Sequence, residues 1–356
     1  MLDSSHAFAG TPACERAPPM RFTFVVPGLA SVDRTLLAGS RPLARLASWS
    51  QARAEPRGLA AAVLAAFGAP AGDTAHDVPA APLAALGAGV DPHASYVLAA
   101  DPVSLVAGRD DVAIAGRVDD LDAGEARALV DALNAHFAAD GLAFAAPRPD
   151  TWFVTLNARP ELTTIPLDVA LGTSLSTHGP GGRDARTWQR WSTEIQMLLF
   201  THPVNQRREN EGRTTCNGVW FWGGGTLADI GLVAPFRAHA PEGRSGDLVR
   251  GLAQLAGGDT LMLPGSFEAA LEAVPAARPA THVAALLAPV ADAAALAALD
   301  RAWLAPALRW LERGRIASVA LVTDGASATT WVAQRPSLPA RVRAGVAPRR
   351  FAVPGR

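Results

Sequence analysis

The chain contains no lysine: all 32 of its basic residues are arginine. Schiff-base catalysis, a pyridoxal-phosphate anchor and the lysine of a Walker phosphate loop all need an ε-amine, so each is excluded. Cysteine is nearly absent too. Cys14 and Cys216 are too few and too far apart for a disulfide framework or a CxxC motif, and a reducing cytoplasm is the expected compartment. Residues 1–20 carry Asp3, Glu15, Arg16 and paired prolines, and lack the apolar core of roughly 7–15 residues that a secretory signal needs. The longest uncharged apolar run, Leu59 to Gly72, is shorter than the roughly 18–20 residues that span a bilayer. Charge of neither sign is in excess: 32 basic against 33 acidic residues leave −1, so neither nucleic acid nor a membrane surface is an expected partner.

What is present is an ordinary globular composition, 49% hydrophobic and 18% charged over 356 residues. That length suits one large domain or two of about 100–200 residues. Met20 directly precedes the first strand-like run and is an alternative start of translation. Arg21–Val26 reads as a strand ending at the turn Pro27-Gly28. Further strands are expected at 95–99, 103–106, 111–115, 152–156 and 218–222. Asp122 with Glu125 forms a capping-box start for a helix over 123–139. Trp188, Trp191, Ile195, Leu198 and Leu199 share one face of a second helix, 184–201, which Pro203 is expected to end. Helices also read at 59–67, 247–256, 266–274 and, interrupted at Pro306, 293–312. Asp324-Gly325 between two strand-like runs signals a hairpin. Strands interleaved with helices argue for an α/β fold with a central, mostly parallel sheet and helices on both faces. The expected organisation is an extension over 1–19, two halves at 20–175 and 176–335, and a basic tail over 336–356. The tail, with five arginines and no acid from Arg341 onward, reads as a solvated end or a nucleic-acid arm.

Polar and aromatic residues are densest over 184–229. Glu194 and Gln196 border the apolar face of the second helix, with Arg190 one turn before Glu194. His202, Asn205, Arg207 and Arg208 follow. Two readings stand there: caps that shape the turn, or an anion site in which guanidinium forks hold a carboxylate or phosphate. The run Val219 to Thr226 brings Gly223, Gly224 and Gly225 together, and consecutive glycine amides can converge on an anion. Gly223, Gly225 and Ala228 fit G-x-G-x-x-A, but Gly231 and Pro235 make a poor dinucleotide helix. Trp220 and Trp222 share a strand face and either stack a ligand ring or cover a core. Asp73, His76 and Asp77 have metal-like spacing, with Asp91 and His93 nearby, yet they lie in a proline- and glycine-rich stretch without HExxH or HxH, so no metal and no cofactor is expected. There is no GxSxG, and Cys216 has only the distant His202 as a partner for nucleophilic catalysis.

Thr193-Glu194-Ile195-Gln196-Met197-Leu198-Leu199, then His202-Pro203-Val204-Asn205, then Asn217-Gly218-Val219-Trp220 through Gly225 resembles a proteobacterial family of RpfE-like regulatory proteins. Its members are commonly labelled cofactor-independent phosphoglycerate mutases. Thr193 and Gly218 depart from the family's Asn and Ser. The resemblance implies an alkaline-phosphatase-like fold. Metal-dependent mutases of that name need a Ser or Thr nucleophile and Asp and His ligands for two metal ions, which offset charge on the transferring group. No Asp-x-x-Gly-His element is present, and the eight histidines are scattered singly. The expected function is therefore a regulatory or catalytically silent relative that binds a small phosphorylated anion or a protein partner. Ligand contacts are expected from Glu194, Gln196, His202, Asn205, Arg207, Asn217, Trp220 and Gly223–Gly225. Two alternatives remain: an active mutase or phosphohydrolase, and an interaction module anchored by exposed Trp188, Trp220 or Trp222.

Overall fold

A computed structural model describes residues 20–55, 58–69, 77–92, 95–108, 111–172, 178–231, 233–274, 281–324, 328–346 and 351. The 1–19 extension, Cys14, Asp73, His76 and His93 lie outside the described residues. The first sheet begins with β1 (Arg21–Val26), where Phe22, Phe24 and Val26 alternate with Thr23 and Val25. Both sets are buried, as a central parallel strand requires. Parallel to β1 on one side runs β11 (Ser318–Thr323), and on the other β10 (His282–Leu286), β8 (Arg237–Ala240) and β9 (Asp259–Met262). β12 (Ala328–Gln334) is antiparallel to β11, and β2 (Ser50–Glu55) closes that edge, giving the order β2-β12-β11-β1-β10-β8-β9.

Helices cover both faces. Phe22 and Phe24 pack with the Arg41–Trp49, Ala293–Leu299 and Ala305–Glu312 helices, whereas Val25 packs with the Leu59–Ala66 and Arg244–Leu255 helices. Each fully buried Phe or Leu of these cores contributes about 1.5–3 kcal/mol relative to exposure. The expected mostly parallel α/β sheet is thus the architecture found.

A second, antiparallel sheet combines β3 (Tyr96–Ala107), β4 (Val112–Arg117), β5 (Leu142–Arg148) and β6 (Thr151–Leu156), with β7 (Gly218–Gly225) on the other edge of β3. Its strands come from both sides of residue 175. The Ala123–Phe137 and Ala185–Phe200 helices cover one face through Leu129, Leu133, Trp188 and Ile195. The other face meets the Ala80–Gly87 helix, which lies directly on the Arg244–Leu255 helix of the first layer. Gly87 and Gly251 permit that contact: a Cβ on either would collide with the backbone carbonyl of Asp247 or Leu83.

Several local expectations are corrected. Pro203 ends the 185–200 helix only by starting another, Pro203–Asn210, in which it takes the first turn; proline's missing N–H is no loss there. The interruption of 293–312 comes one turn ahead of Pro306, as a π-helical stretch over Asp300–Leu304. Proline cannot donate to the carbonyl of the preceding turn, and the wider turn absorbs that defect. The glycines after Trp222 prolong β7 rather than end it. The tail does not simply trail into solvent: Leu338–Val346 is helical, and Phe351 is buried against Trp331 with ring centroids 4.6 Å apart.

Candidate functional site

The structure places the family-motif residues in three separate settings. In the first, side chains hold the chain together. Asn205 is buried and donates to Leu199 O (2.8 Å) and Cys216 O (2.7 Å), while its Oδ1 accepts from Cys216 N (2.9 Å). Both amide protons are thus committed to backbone. Asn217 does the same at the edge of β3, bonding Leu105 N (2.7 Å) and O (2.9 Å). His202 caps the following helix, accepting from Val204 N at 3.2 Å, and partial burial lowers its pKa. The two guanidiniums divide: Arg207 is exposed, whereas Arg208 is fully buried against Glu125 (2.7 Å), Asp120 and Thr214 O (2.7 Å). Glu194 bonds His136 and Arg190, each at 3.4 Å.

The second setting is the glycine run. One glycine amide of the run, that of Gly224, meets a carboxylate of the protein's own, Asp77. Gly224 N donates to Asp77 Oδ2 at 3.3 Å, Thr164 N donates to Asp77 Oδ1 at 2.6 Å, and the Thr164 hydroxyl bonds the same carboxylate. Gly223, at φ +67°, donates to Thr164 Oγ1 at 3.1 Å. A side chain at Gly224 would strike the Tyr96 hydroxyl, and one at Gly225 would come within 2.6 Å of Pro79. Burial and the Asp77 charge push the Tyr96 phenol well above its ordinary range. After β7 comes only a three-residue 3₁₀ turn, Leu227–Asp229, so G-x-G-x-x-A opens no dinucleotide helix here.

In the third setting Gln196 and Trp220 line one shallow cavity between the 185–200 helix and β7. Trp220 is buried, its Nε1 donating to Ile165 O at 2.8 Å, and Trp188 packs inward against Trp191 and Phe221. Trp222 is half-buried and donates to Asp101 Oδ2 at 2.8 Å. Trp188, Trp220 and Trp222 thus do not form the exposed patch that an anchored interaction module calls for. Cys216 is buried, and desolvation raises its thiol to about 12, so it is no nucleophile near neutral pH.

Another cluster sits at the carboxyl ends of the parallel strands, where α/β sheets place their ligands. Two residues past the end of β1, Gly28 donates its N–H to Asp324 Oδ2 (2.7 Å), just past the end of β11. The other oxygen of Asp324 is buried without a hydrogen-bond partner among the described residues. Asp168, on the short Leu167–Ala170 helix, has its pKa raised by burial and by the charge of Asp324, with Arg117 acting in the opposite sense. Arg117, the last residue of β4, reaches Asp101 at 3.5 Å and Asp119 at 3.9 Å, and its buried Nε–H makes no hydrogen bond among the described residues. Burial and the neighbouring Arg244 lower its pKa. Arg244 bonds Asp101 Oδ2 at 2.5 Å and Asp150 O at 2.7 Å. Asp101, Arg117, Asp168 and Arg244 escape sequence reading because they come from separate segments, and Asp324 reads only as part of a turn signal.

No family model matches the chain. A 164-residue stretch is 29% identical to the 2,3-bisphosphoglycerate-independent phosphoglycerate mutase of Methanosarcina barkeri, covering 42% of this chain and 40% of that enzyme. A probable enzyme of the same name from Geobacter sulfurreducens is 31% identical over 116 residues, 31% of this chain and 28% of its own. The chain therefore spans less than half the length of the curated relatives it matches. Its fold is shared with the PH0037 protein of Pyrococcus horikoshii, at TM-score 0.51 and 17% identity over 89% of this chain and 88% of that one. A cofactor-independent phosphoglycerate mutase from Thermoplasma acidophilum aligns over 89% of this chain and 90% of its own, at TM-score 0.42 and 16% identity. The similarity is to mutases.

Mutases of the metal-dependent kind imply two metal ions, and the donors among the described residues form no set that fits them. Among the described residues no group of three or more His, Cys, Asp or Glu side chains is placed to share an ion. Asp168 and Asp324 are one carboxylate pair, and Asp77 is bound to Thr164 and Gly224. What the crevice can offer is guanidinium recognition of an anion, with Asp168 able to hold a proton beside it.

Proposed function

We propose that this protein is a phosphoglycerate-mutase-like binding protein, catalytically silent and regulatory in the manner of the RpfE-like proteins, that holds a small phosphorylated ligand at the carboxyl edge of its parallel sheet. The observation that supports this most is the pairing of Arg117 and Arg244 there with a single carboxylate pair. Guanidinium forks match phosphate oxygens bidentately, and a buried N–H without an acceptor, as on Arg117, is a cost that a ligand oxygen removes. Phosphoryl transfer asks for more: a poised nucleophile and cations across the transferring group. The curated relatives favour a second reading, an active mutase.

A coupled 3-phosphoglycerate to 2-phosphoglycerate assay, run with Mn²⁺ and again with EDTA, separates the two. The expected result is no turnover in either, from protein whose circular dichroism shows it folded. Metal-dependent turnover establishes the mutase reading instead.

A further inference from the structure

The cavity that joins Gln196 to Trp220 lies apart from the carboxyl-edge crevice, and its chemistry is different. It has a volume of about 260 Å³, below the common range of cofactor pockets. One wall is the 185–200 helix, which turns Gln189, Ser192, Thr193 and Gln196 toward it. Positions 189, 193 and 196 fall on one stripe because they are four and three residues apart. Thr193 returns its hydroxyl to Gln189 O of its own helix (3.0 Å). The amides of Gln189 and Gln196 and the Ser192 hydroxyl, by contrast, have no hydrogen-bond partner among the described residues. The facing wall is apolar: Leu105, Val219 and Trp220, the indole fixed by its bond to Ile165 O. Beneath Pro180 a recess of about 30 Å³ runs between His178 and Trp188, the room one water or one hydroxyl-bearing carbon takes.

Among the described residues, no Asp, Glu or Arg lines either space. The nearest charged pair on the helix, Arg190 and Glu194, is engaged with itself and with His136. A charged ligand would therefore lose water here without gaining a counter-charge, which is unfavourable. A neutral molecule with several hydroxyls on one side and a C–H face on the other meets both walls: amides donate to and accept from hydroxyls, and the apolar wall takes the C–H face.

We propose that this cavity is a binding site for a neutral polyol of single-sugar size, with Gln189, Ser192 and Gln196 reading hydroxyl groups and Trp220 and Val219 supporting the ring. It is independent of the phosphorylated-ligand reading, because it shares no residue with the crevice.

Saturation-transfer NMR with D-glucose and myo-inositol tests it, with glucose 6-phosphate as the charged comparator. At least one neutral probe is expected to show saturable transfer to its C–H protons. Affinity should fall roughly tenfold in Gln196→Ala, the loss of about one good hydrogen bond. Arg117→Gln should leave the neutral probes unaffected and abolish any extra binding of glucose 6-phosphate, which keeps failure here distinguishable from failure at the crevice. Three results overturn the proposal: no transfer to either neutral probe, transfer unchanged in both folded Gln196→Ala and Gln189→Ala, or displacement of the neutral probe by glucose 6-phosphate in Arg117→Gln.

Discussion

The Asn205 region and the carboxyl-edge crevice are equally rich in polar side chains, yet they use them in opposite ways. Around Asn205, hydrogen-bonding capacity is absorbed by backbone: Asn205 ties Leu199 to Cys216, and Asn217 ties itself to Leu105. Asn134 repeats the device on Phe144 N and O at the edge of β5. In the crevice, capacity is left over: Arg117 Nε and Asp324 Oδ1 are enclosed without a hydrogen bond among the described residues, and Asp168 stands beside a like charge. The first pattern is what stability selects, and the second is what a binding site costs.

Substitutions can break that contrast. Arg208→Ala should have the largest effect, a loss of about 3–5 kcal/mol in urea unfolding, because it leaves buried Glu125 with the partly exposed Arg213 as the one cation bonded to it among the described residues. A much smaller loss would show that Arg213 suffices and that Arg208 is not a keystone. Asn205→Ala follows, at about 2–3 kcal/mol, since Leu199 O and Cys216 N and O each lose a partner. Ligand affinity of the folded fraction should not change. Loss of binding without loss of stability would return Asn205 to the site.

Asp168→Asn should move stability the other way and by the least. The folded pKa of Asp168 lies above its ordinary value, so between the two the native state holds the proton more tightly than the unfolded chain does. Stability contributed by that proton is present at low pH and is lost as pH rises through the folded pKa. The neutral amide escapes the loss. Midpoints of urea unfolding should therefore be higher for Asp168→Asn at pH 7 and should converge with wild type as pH falls below the ordinary carboxylate range. A destabilised variant at pH 7 would mean that Asp168 is held ionised by a partner.

The same contrast governs what could be read from residues alone. β1 and the 185–200 helix were legible because apolar side chains recur at their own periods, and Asp122 with Glu125 announces its helix locally. β2, whose sequence is Ser-Gln-Ala-Arg-Ala-Glu, is short and has no residue larger than alanine among its apolar positions, so it carries no strand period. The Pro203–Asn210 helix was hidden because proline signals both an end and a first turn. The glycine run reads as a place for an external anion, whereas the carboxylate that Gly224 bonds, Asp77, lies 147 residues upstream, a pairing that only the fold creates. The crevice is the extreme case. Its residues sit at 101, 117, 168, 244 and 324, each unremarkable in its own neighbourhood, and meet only where strand ends converge.

Phosphorylated ligand is expected at the crevice rather than beside the Asn205 turn. Calorimetric titration of 3-phosphoglycerate into wild type, Arg117→Gln and Arg207→Gln tests it most directly, since both arginines can be replaced without emptying a core. The account predicts saturable binding that is lost in Arg117→Gln and retained in Arg207→Gln. Binding that survives in Arg117→Gln and disappears in Arg207→Gln would contradict it and place the ligand at the turn.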